Sequence, residues 1–445
     1  LTTSRPIRAI TNVTAFVGEE LTPRVVDLLI EDGRITRVSA AGADIAIGNH
    51  TVDGTGLLAF PGLIDCHDHL RNLTPGLAIG EGLKLDDFLR VMWASQAAMG
   101  AEEYRIAALL GMTQRLKTGV TTICDHCYTF HAPRLDDASI GGYKDSGARW
   151  VYARGVMTRP YEPVVETWDD AATKMRALTQ QGLPAEKLFV APVSIRQASA
   201  NDYRNSRDLA DELGCGLYTH VAETPAEREM WQRECGAGPI RALDRLGFLT
   251  DRTVLVHCID LEPAEVELIA ARRCHVIHCP TNNMKLAKGF TPVPELLAAG
   301  VNVGLGIDMM SDMFSEMRAE IGMHAVHRGD PNAVGKPDAM RMATRAGAAA
   351  LGLGDLVGTI AAGRRADIVL LDGRSLLQAV MVDPAYAVLY ATHPGMVRHV
   401  LIDGTLVVEN GASTIVDEEA LREEAEAIAA HYLKRLGVAE RPWPG

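Results

Sequence analysis

Alternation of apolar and polar positions marks both ends of the chain. Residues 7–10, 25–30, 34–38 and 50–52 read as short strands, parted by Gly18-Glu-Glu, Glu31-Asp-Gly33 and Asp53-Gly54 in the manner of hairpins. The same texture returns over 366–371, 397–402 and 405–408, around Asp403-Gly404. Neither end has enough strands for a stable sheet by itself. One small β-sandwich assembled from both ends is therefore expected, with 1–58 and 358–445 as its two parts and 59–357 as an insert. Residues 417–436 read as a charged amphipathic helix docked on the insert of its own chain.

Within the insert, apolar runs of strand length alternate with helical stretches. After an opening strand that ends in Asp65-Cys66-His67-Asp68-His69 come 120–124, 149–153, 188–192, 216–220, 253–257, 275–278 and 301–308. Eight such units predict an α/β fold, a (β/α)8 TIM barrel with its active site at the C-terminal strand ends. In the last run Val301, Val303, Leu305 and Ile307 fall on the helix side, which leaves Gly304, Gly306 and Asp308 facing inward. Residues 83–99, with Leu85, Phe88, Leu89, Met92 and Trp93, read as an amphipathic helix that roofs the site, packs on a partner subunit or simply joins the core.

Net charge is −13 and Lys and Arg form no long runs, which argues against a nucleic-acid surface; no window is apolar enough for a membrane span. The chain reads as cytoplasmic. Its eight cysteines include Cys66, Cys258, Cys274 and Cys279 inside apolar runs, where a reduced buried thiol is expected. Cys124-Asp-His-Cys127 has no second pair to make a zinc ribbon.

Candidate chemistry gathers at strand ends. Alternation puts His67 and His69 on one face with Leu63 and Asp65, His220 on a face with Tyr218, and His257 on a face with Leu255. Each histidine alone could be a polar rim, but His67, His69, His220, His257 and Asp308 together, at the ends of strands one, five, six and eight, make a metal site. Glu223 follows His220 on the loop, where a carboxyl suits general acid/base work. His278 falls on the inward face of strand seven as a candidate substrate contact, whereas His126, His324 and His327 are assigned structural places.

The runs from Pro61-Gly to His69, His220-Val-Ala-Glu-Thr, Val256-His-Cys, His278-Cys-Pro-Thr-Asn-Asn-Met-Lys-Leu and Ala299 to Asp308 resemble the amidohydrolase superfamily. The branch is the one with atrazine and triazine hydrolases, cytosine and guanine deaminases, and S-adenosylhomocysteine and methylthioadenosine deaminases. The resemblance implies His67, His69 and His220 as ligands of one divalent ion per subunit, zinc or alternatively iron, with Asp308 touching the metal and accepting a proton from its water. It implies that His257 orients the hydroxide and that Glu223 protonates the ring nitrogen. Strand four, Pro192-Val-Ser-Ile-Arg196, offers no bridging lysine for a second ion.

The resemblance thus implies a deaminase-type hydrolase that removes an amino or substituted-amino group from a small nitrogen heterocycle. A dechlorinase or an amide, urea or carbamate hydrolase is the alternative, and a noncatalytic metal-dependent binding protein a further one. Nucleoside deaminases of the branch show Trp-Pro-x-Glu and Pro-His-x-Pro-Tyr where this chain has Trp93-Ala-Ser-Gln96 and Pro192-Val-Ser-Ile-Arg196. A flat substrate without ribose is therefore expected, with Trp93, Gln96, Ser194 and His278 as substrate contacts and Val193, Ile195, Met309 and Met310 as an apolar lining. The only partners expected are this small molecule and further copies of the chain in a homodimer or higher homo-oligomer.

Overall fold

The computed structural model describes residues 5–42, 48–72, 80–309 and 311–435. Eight parallel strands pair in chain order: Leu63–Asp68, Val120–Cys127, Arg149–Val156, Leu188–Pro192, Gly216–Val221, Thr253–His257, His275–His278 and Asn302–Leu305. First and last meet where Asp308 N–H donates to His67 O at 2.9 Å and Ile307 N–H to Asp65 Oδ1 at 2.9 Å. Helices between the strands cover the outside, so the sheet is a (β/α)8 barrel.

Side chains from alternate strand positions sort into two layers. Ile64, Cys66, Val151, Phe189, Tyr218, Val254, Val256, Ile277 and Cys279 fill the interior, and Ala348, Leu351 and Val357 close its floor. Leu63, Leu217, Leu255, Val276, Val303 and Leu305 face the helices. The eighth strand follows the predicted alternation: a Cβ on Gly306 would stand 2.6 Å from His67 Cβ, so only glycine lets the two strands approach there.

Elsewhere the alternation fails, and the failures matter. Leu63 and Ile64 show that His67 should face the helices, yet the register slips between Asp65 and Asp68 and the ring turns inward. His257 likewise shares parity with outward Leu255 but has φ 74°, a left-handed conformation that swings the ring back to the centre. His278 lies between inward Ile277 and Cys279 and points outward, contrary to the expected inward face.

Ten strands from the two chain ends form one mostly antiparallel sheet. Leu57–Pro61 pairs with Ile368–Asp372, and Arg5–Pro6 with Thr405–Glu409, so both ends are needed. Ile10, Leu28, Ile35, Ala59, Ile368, Leu401 and Leu406 share one apolar cluster, and the sheet folds over it. Arg149 of the third barrel strand holds this unit to the barrel through Asp367 at 2.8 Å and Asp403 at 2.8 Å.

The helix Leu85–Gln96 lies over the barrel mouth. Leu85, Phe88 and Met92 pack on Leu286 and Met309, and Trp93 packs with Tyr128 and Val193. The terminal helix Glu418–Arg435 sets Leu421 against Ile106 and Leu109 of Ala101–Lys117; residue 436 lies outside the described residues. Cys124 faces the barrel interior and Cys127 the helix layer, so the C-x-x-C spacing builds no site. No described helix is long and apolar enough to cross a membrane.

Candidate metal centre

Three imidazoles are aimed by what their outer nitrogens touch. His69 Nδ1 lies 2.7 Å from His126 O and His220 Nδ1 2.7 Å from Val193 O. A carbonyl only accepts, so both Nδ1 atoms carry the proton. Tyr218 donates its hydroxyl hydrogen to Cys66 O at 2.8 Å, which leaves its oxygen to accept from His67 Nδ1 at 2.8 Å. Burial and neighbouring rings hold His69 well below the usual imidazole range and His220 at about 4, so these rings are neutral near pH 7. Each Nε2 therefore presents a lone pair.

These lone pairs converge. His220 Nε2 is 3.1 Å from His67 Nε2 and 3.3 Å from His69 Nε2. Asp308 Oδ1 completes the group at 3.3 Å from His67 Nε2 and 3.5 Å from His69 Nε2. A tetrahedral ion with bonds of about 2.0–2.1 Å would need edges of about 3.3–3.4 Å. Facing lone pairs at such separations repel unless a cation lies between them, so the four residues fit a divalent metal.

Asp308 reaches its place through a left-handed backbone, φ 59°, just past the eighth strand. Arg115 fixes that turn, donating to Asp68 Oδ2 at 2.7 Å and to Met309 O. On the other side of Asp308, its Oδ2 lies 3.7 Å from His257 Nε2. Burial, then Lys288, pushes His257 well down, so this ring is neutral as well.

Glu223 sits on the loop after strand five. Buried Glu227 shapes that loop, accepting from Glu223 N–H at 2.9 Å and Ala222 N–H at 3.2 Å. Glu223 Oε1 is 3.3 Å from His257 Nε2 and accepts from Lys288 Nζ at 2.8 Å; Oε2 is 3.8 Å from Arg196 Nη1. Burial alone would raise its pKa, but Lys288 and Arg196 outweigh it and hold the group at about 2. Glu223 is thus an anion before substrate enters, and any proton it delivers must first be taken up.

The surrounding pocket is lined by Leu85, Phe88 and Leu89 of the roof helix, by Asn72, Tyr128, Val193, Ser194 and Gln197, and by Asn282, Leu286, Lys288 and Met309. Of the expected substrate contacts only Ser194 lines it. Trp93 packs beside Tyr161, Gln96 donates to Asn72 Oδ1, and His278 bonds Glu320 Oε2 at 2.5 Å on the outer side of the barrel. Ile195 is buried in the main core and Met310 lies outside the described residues. His126 packs on His220 with ring centroids 4.8 Å apart, its Nε2 3.4 Å from Ala191 O; a nitrogen of His126 falls within 4.8 Å of the nitrogens of His67, His69 and His220. His324 sits against Glu320 at 3.1 Å and His327 stacks on Phe290, both on Met313–Arg328 or beside it and apart from the metal group.

The family model described as the amidohydrolase family matches residues 58–407. The chain belongs to the amidohydrolase family. It is a hydrolase acting on carbon–nitrogen bonds, with a histidine-rich candidate metal site. Among its relatives, the 5-methylthioadenosine/S-adenosylhomocysteine deaminase of Nitratidesulfovibrio vulgaris strain DP4 is 33% identical over 429 residues, covering 92% of this chain and 95% of the relative. The 5'-deoxyadenosine deaminase of Methanothermobacter thermautotrophicus is 33% identical over 414 residues, covering 91% and 94%. A crystal structure of an adenosine deaminase from Xanthomonas campestris with bound zinc superposes with a TM-score of 0.87 at 27% identity, covering 98% of this chain and 99% of the other. The zinc complex of atrazine chlorohydrolase TrzN from Arthrobacter aurescens TC1 shares the fold, with a TM-score of 0.87 at 24% identity over 95% and 99%.

Two buried charges beside the candidate site of this amidohydrolase escaped sequence reasoning. Glu227 is one, a single acidic residue in a surface-like run of Glu and Arg. Lys288 is the other; Lys285, three residues earlier, is exposed and pairs with Glu81 at 2.8 Å, whereas Lys288 is buried in the pocket wall. Nothing in the local pattern separates the two lysines.

Proposed function

We propose that this amidohydrolase removes an amino or substituted-amino group from a small nitrogen heterocycle by hydrolysis, using one divalent ion per subunit. The observation that carries the reading is the convergence of His67, His69, His220 and Asp308 within reach of His257 and Glu223 in one pocket. The nitrogen-rich donor set favours zinc, with iron as the alternative. That ion supplies Lewis acidity and a water of lowered pKa.

The protein's own residues do the rest. Asp308 Oδ2 and His257 Nε2, 3.7 Å apart, bracket the place from which water would attack and accept its proton. Glu223, 3.3 Å from His257, takes up the proton released by the attacking water and passes it to the ring nitrogen beside the attacked carbon. When the carbon–nitrogen bond breaks, the departing amine takes the second proton of the added water, by way of Asp308, and the attacked carbon keeps the oxygen as a carbonyl. Leu85, Phe88 and Leu89 cover the ring and exclude bulk water.

A second reading takes the substrate to be an adenosine-type nucleoside, as the names of the relatives at 33% identity suggest. Against it stand the apolar roof and the absence from the pocket wall of Gln96, the residue in the place expected to hold ribose. Ammonia release by metal-loaded protein, compared as kcat/KM over aminopyrimidines, amino-s-triazines, ureas, adenosine, 5'-methylthioadenosine and S-adenosylhomocysteine, tests the choice. Higher values for the small amino heterocycles support the first reading, and a preference for any nucleoside overturns it. Ammonia from ureas alone, or chloride release from chloro-s-triazines assayed in parallel without ammonia from any amino heterocycle, would assign the site to the alternative hydrolyses. Elemental analysis showing two equivalents of metal would refute the single ion.

We also propose that the chain assembles with copies of itself. Leu376, Leu377, Val380, Val382, Tyr386 and Tyr390 are exposed within one short stretch of the chain, a concentration of exposed apolar side chains of the kind that association covers.

A further inference from the structure

Ser194 lines the pocket, but its hydroxyl is already engaged within the loop after strand four. Its oxygen accepts from Arg196 N–H at 3.1 Å, and its hydrogen goes to Gln197 Oε1. That donation fixes which way the Gln197 amide faces: with Oε1 turned to the serine, Nε2 is turned away from it. The backbone of Gln197 is held as firmly. Its N–H donates to Ser194 O at 2.9 Å, and its carbonyl accepts from Thr158 N–H at 2.9 Å and Arg159 N–H at 3.1 Å.

The residue so held borders the cavity although it is only 2% exposed. An amide nitrogen has two N–H donors. Neither has an acceptor among the described residues, and a donor left without one once a ligand has displaced the water costs about 1–3 kcal/mol. A substrate that fills the pocket therefore has to offer an acceptor there or bind less well. The ring nitrogen that Glu223 protonates has a single lone pair in the ring plane, so it does not serve. A second acceptor is required, another ring nitrogen or a carbonyl oxygen.

We propose that Gln197 binds the substrate through Nε2–H, donating to a second acceptor atom on the ring, and that Ser194 acts only through Gln197, by orienting its amide. Gln197 is then a specificity residue and Ser194 a positioning residue. The inference rests on the hydrolysis proposed above and adds a requirement to it: a ring with one nitrogen lone pair and no other acceptor leaves the amide unpaired. A buried group built to hydrogen-bond its ligand discriminates against analogues that lack the partner.

Binding separates this idea from the reaction itself. Metal-loaded full-length protein is titrated by calorimetry with pyrimidine, which offers two ring acceptors and no leaving group, and with benzene, which matches its shape and offers none. Gln197→Met should weaken pyrimidine binding by roughly threefold to tenfold, the scale of one neutral hydrogen bond, and leave benzene binding equal or tighter. Gln197→Leu takes its place if Gln197→Met does not fold, as judged by metal content and thermal unfolding. Ser194→Ala should weaken pyrimidine binding by a smaller factor, and by none in the Gln197→Met background, because a positioning residue has nothing left to position. With any amino heterocycle that is turned over, Gln197→Met should raise KM by more than it lowers kcat. Pyrimidine binding indifferent to Gln197, an equal loss for benzene, or a Ser194→Ala effect undiminished in the double variant overturns the proposal. Failure of the hydrolysis shows separately, as no ammonia from any amino-substituted ring; pyrimidine binding that still responds to Gln197 then supports the contact.

Discussion

Replacing Glu223 by Gln tests the division of labour between metal binding and proton transfer. The side chain keeps its volume and its amide oxygen can still accept from Lys288, but the charge facing Lys288 and Arg196 is gone. Arg196 retains Glu227 at 3.4 Å and Asp86 at 3.1 Å, so the main structural loss is at Lys288. Weakening one charge-assisted bond there should lower stability by about 1–3 kcal/mol. Turnover should fall much further, by roughly two to four orders of magnitude, because a neutral amide can neither take up nor release the proton. None of the four metal-directed atoms touches Glu223, so metal content by elemental analysis should match wild type. Loss of the metal, or a fall in kcat of less than about tenfold, would refute the assignment. The pH dependence gives a second check. Glu223 is held below its ordinary value of 4.5, at about 2, so its stabilisation is fully present above 4.5 and disappears as pH falls through 2. In metal-free protein the stability gap between wild type and Glu223→Gln, followed by denaturant unfolding, should therefore shrink across that window.

Other substitutions address the remaining parts of the structure. Tyr218→Phe removes the oxygen that accepts from His67 Nδ1 and should weaken metal affinity roughly 10- to 100-fold, measured by competition with a chelator; an unchanged affinity would deny Tyr218 this role. Leu255→Ala, in the layer between the sixth strand and the helices, should cost about 2–5 kcal/mol in urea unfolding while metal content stays at the wild-type level. Val382→Asp, at the exposed apolar face, should reduce the oligomer's mass in light scattering; an assembly that persists unchanged would place the interface elsewhere.

The barrel was legible because its strands are continuous apolar runs bounded by helical stretches, and those boundaries survive in the structure within a few residues. The gathering of His67, His69, His220, His257 and Asp308 was legible for a related reason. All five sit at the C-terminal ends of runs, and barrel closure brings those ends together whatever the exact orientation of each side chain. Orientation itself was not legible at the same places. Period-two reasoning assumes a regular ladder, and the ladder breaks between Asp65 and Asp68 and at His257. It held at His278, with the other parity from the one expected, because the neighbouring Ile277 and Cys279 are the residues that fill the interior.

Loop residues pose a different problem, since no periodicity applies to them. Lys288 became visible only when the loop after strand seven was brought over the metal group, and Glu227, on the helix Pro225–Cys235 that follows the strand-five loop, only when its carboxylate met Arg196; each buried charge there finds a partner of opposite sign. A charged residue in a loop is ordinarily solvated, so its sequence context favours the exposed place that Lys285 takes. What reverses this for Lys288 is a carboxylate contributed from 65 positions away in the chain. The candidate metal ligands sit at strand ends that barrel closure brings together, whereas the charges beside them, Lys288 among them, are placed by contacts between segments far apart in the chain. Choosing among substrates therefore depends most on the residues that a strand-by-strand reading resolves least.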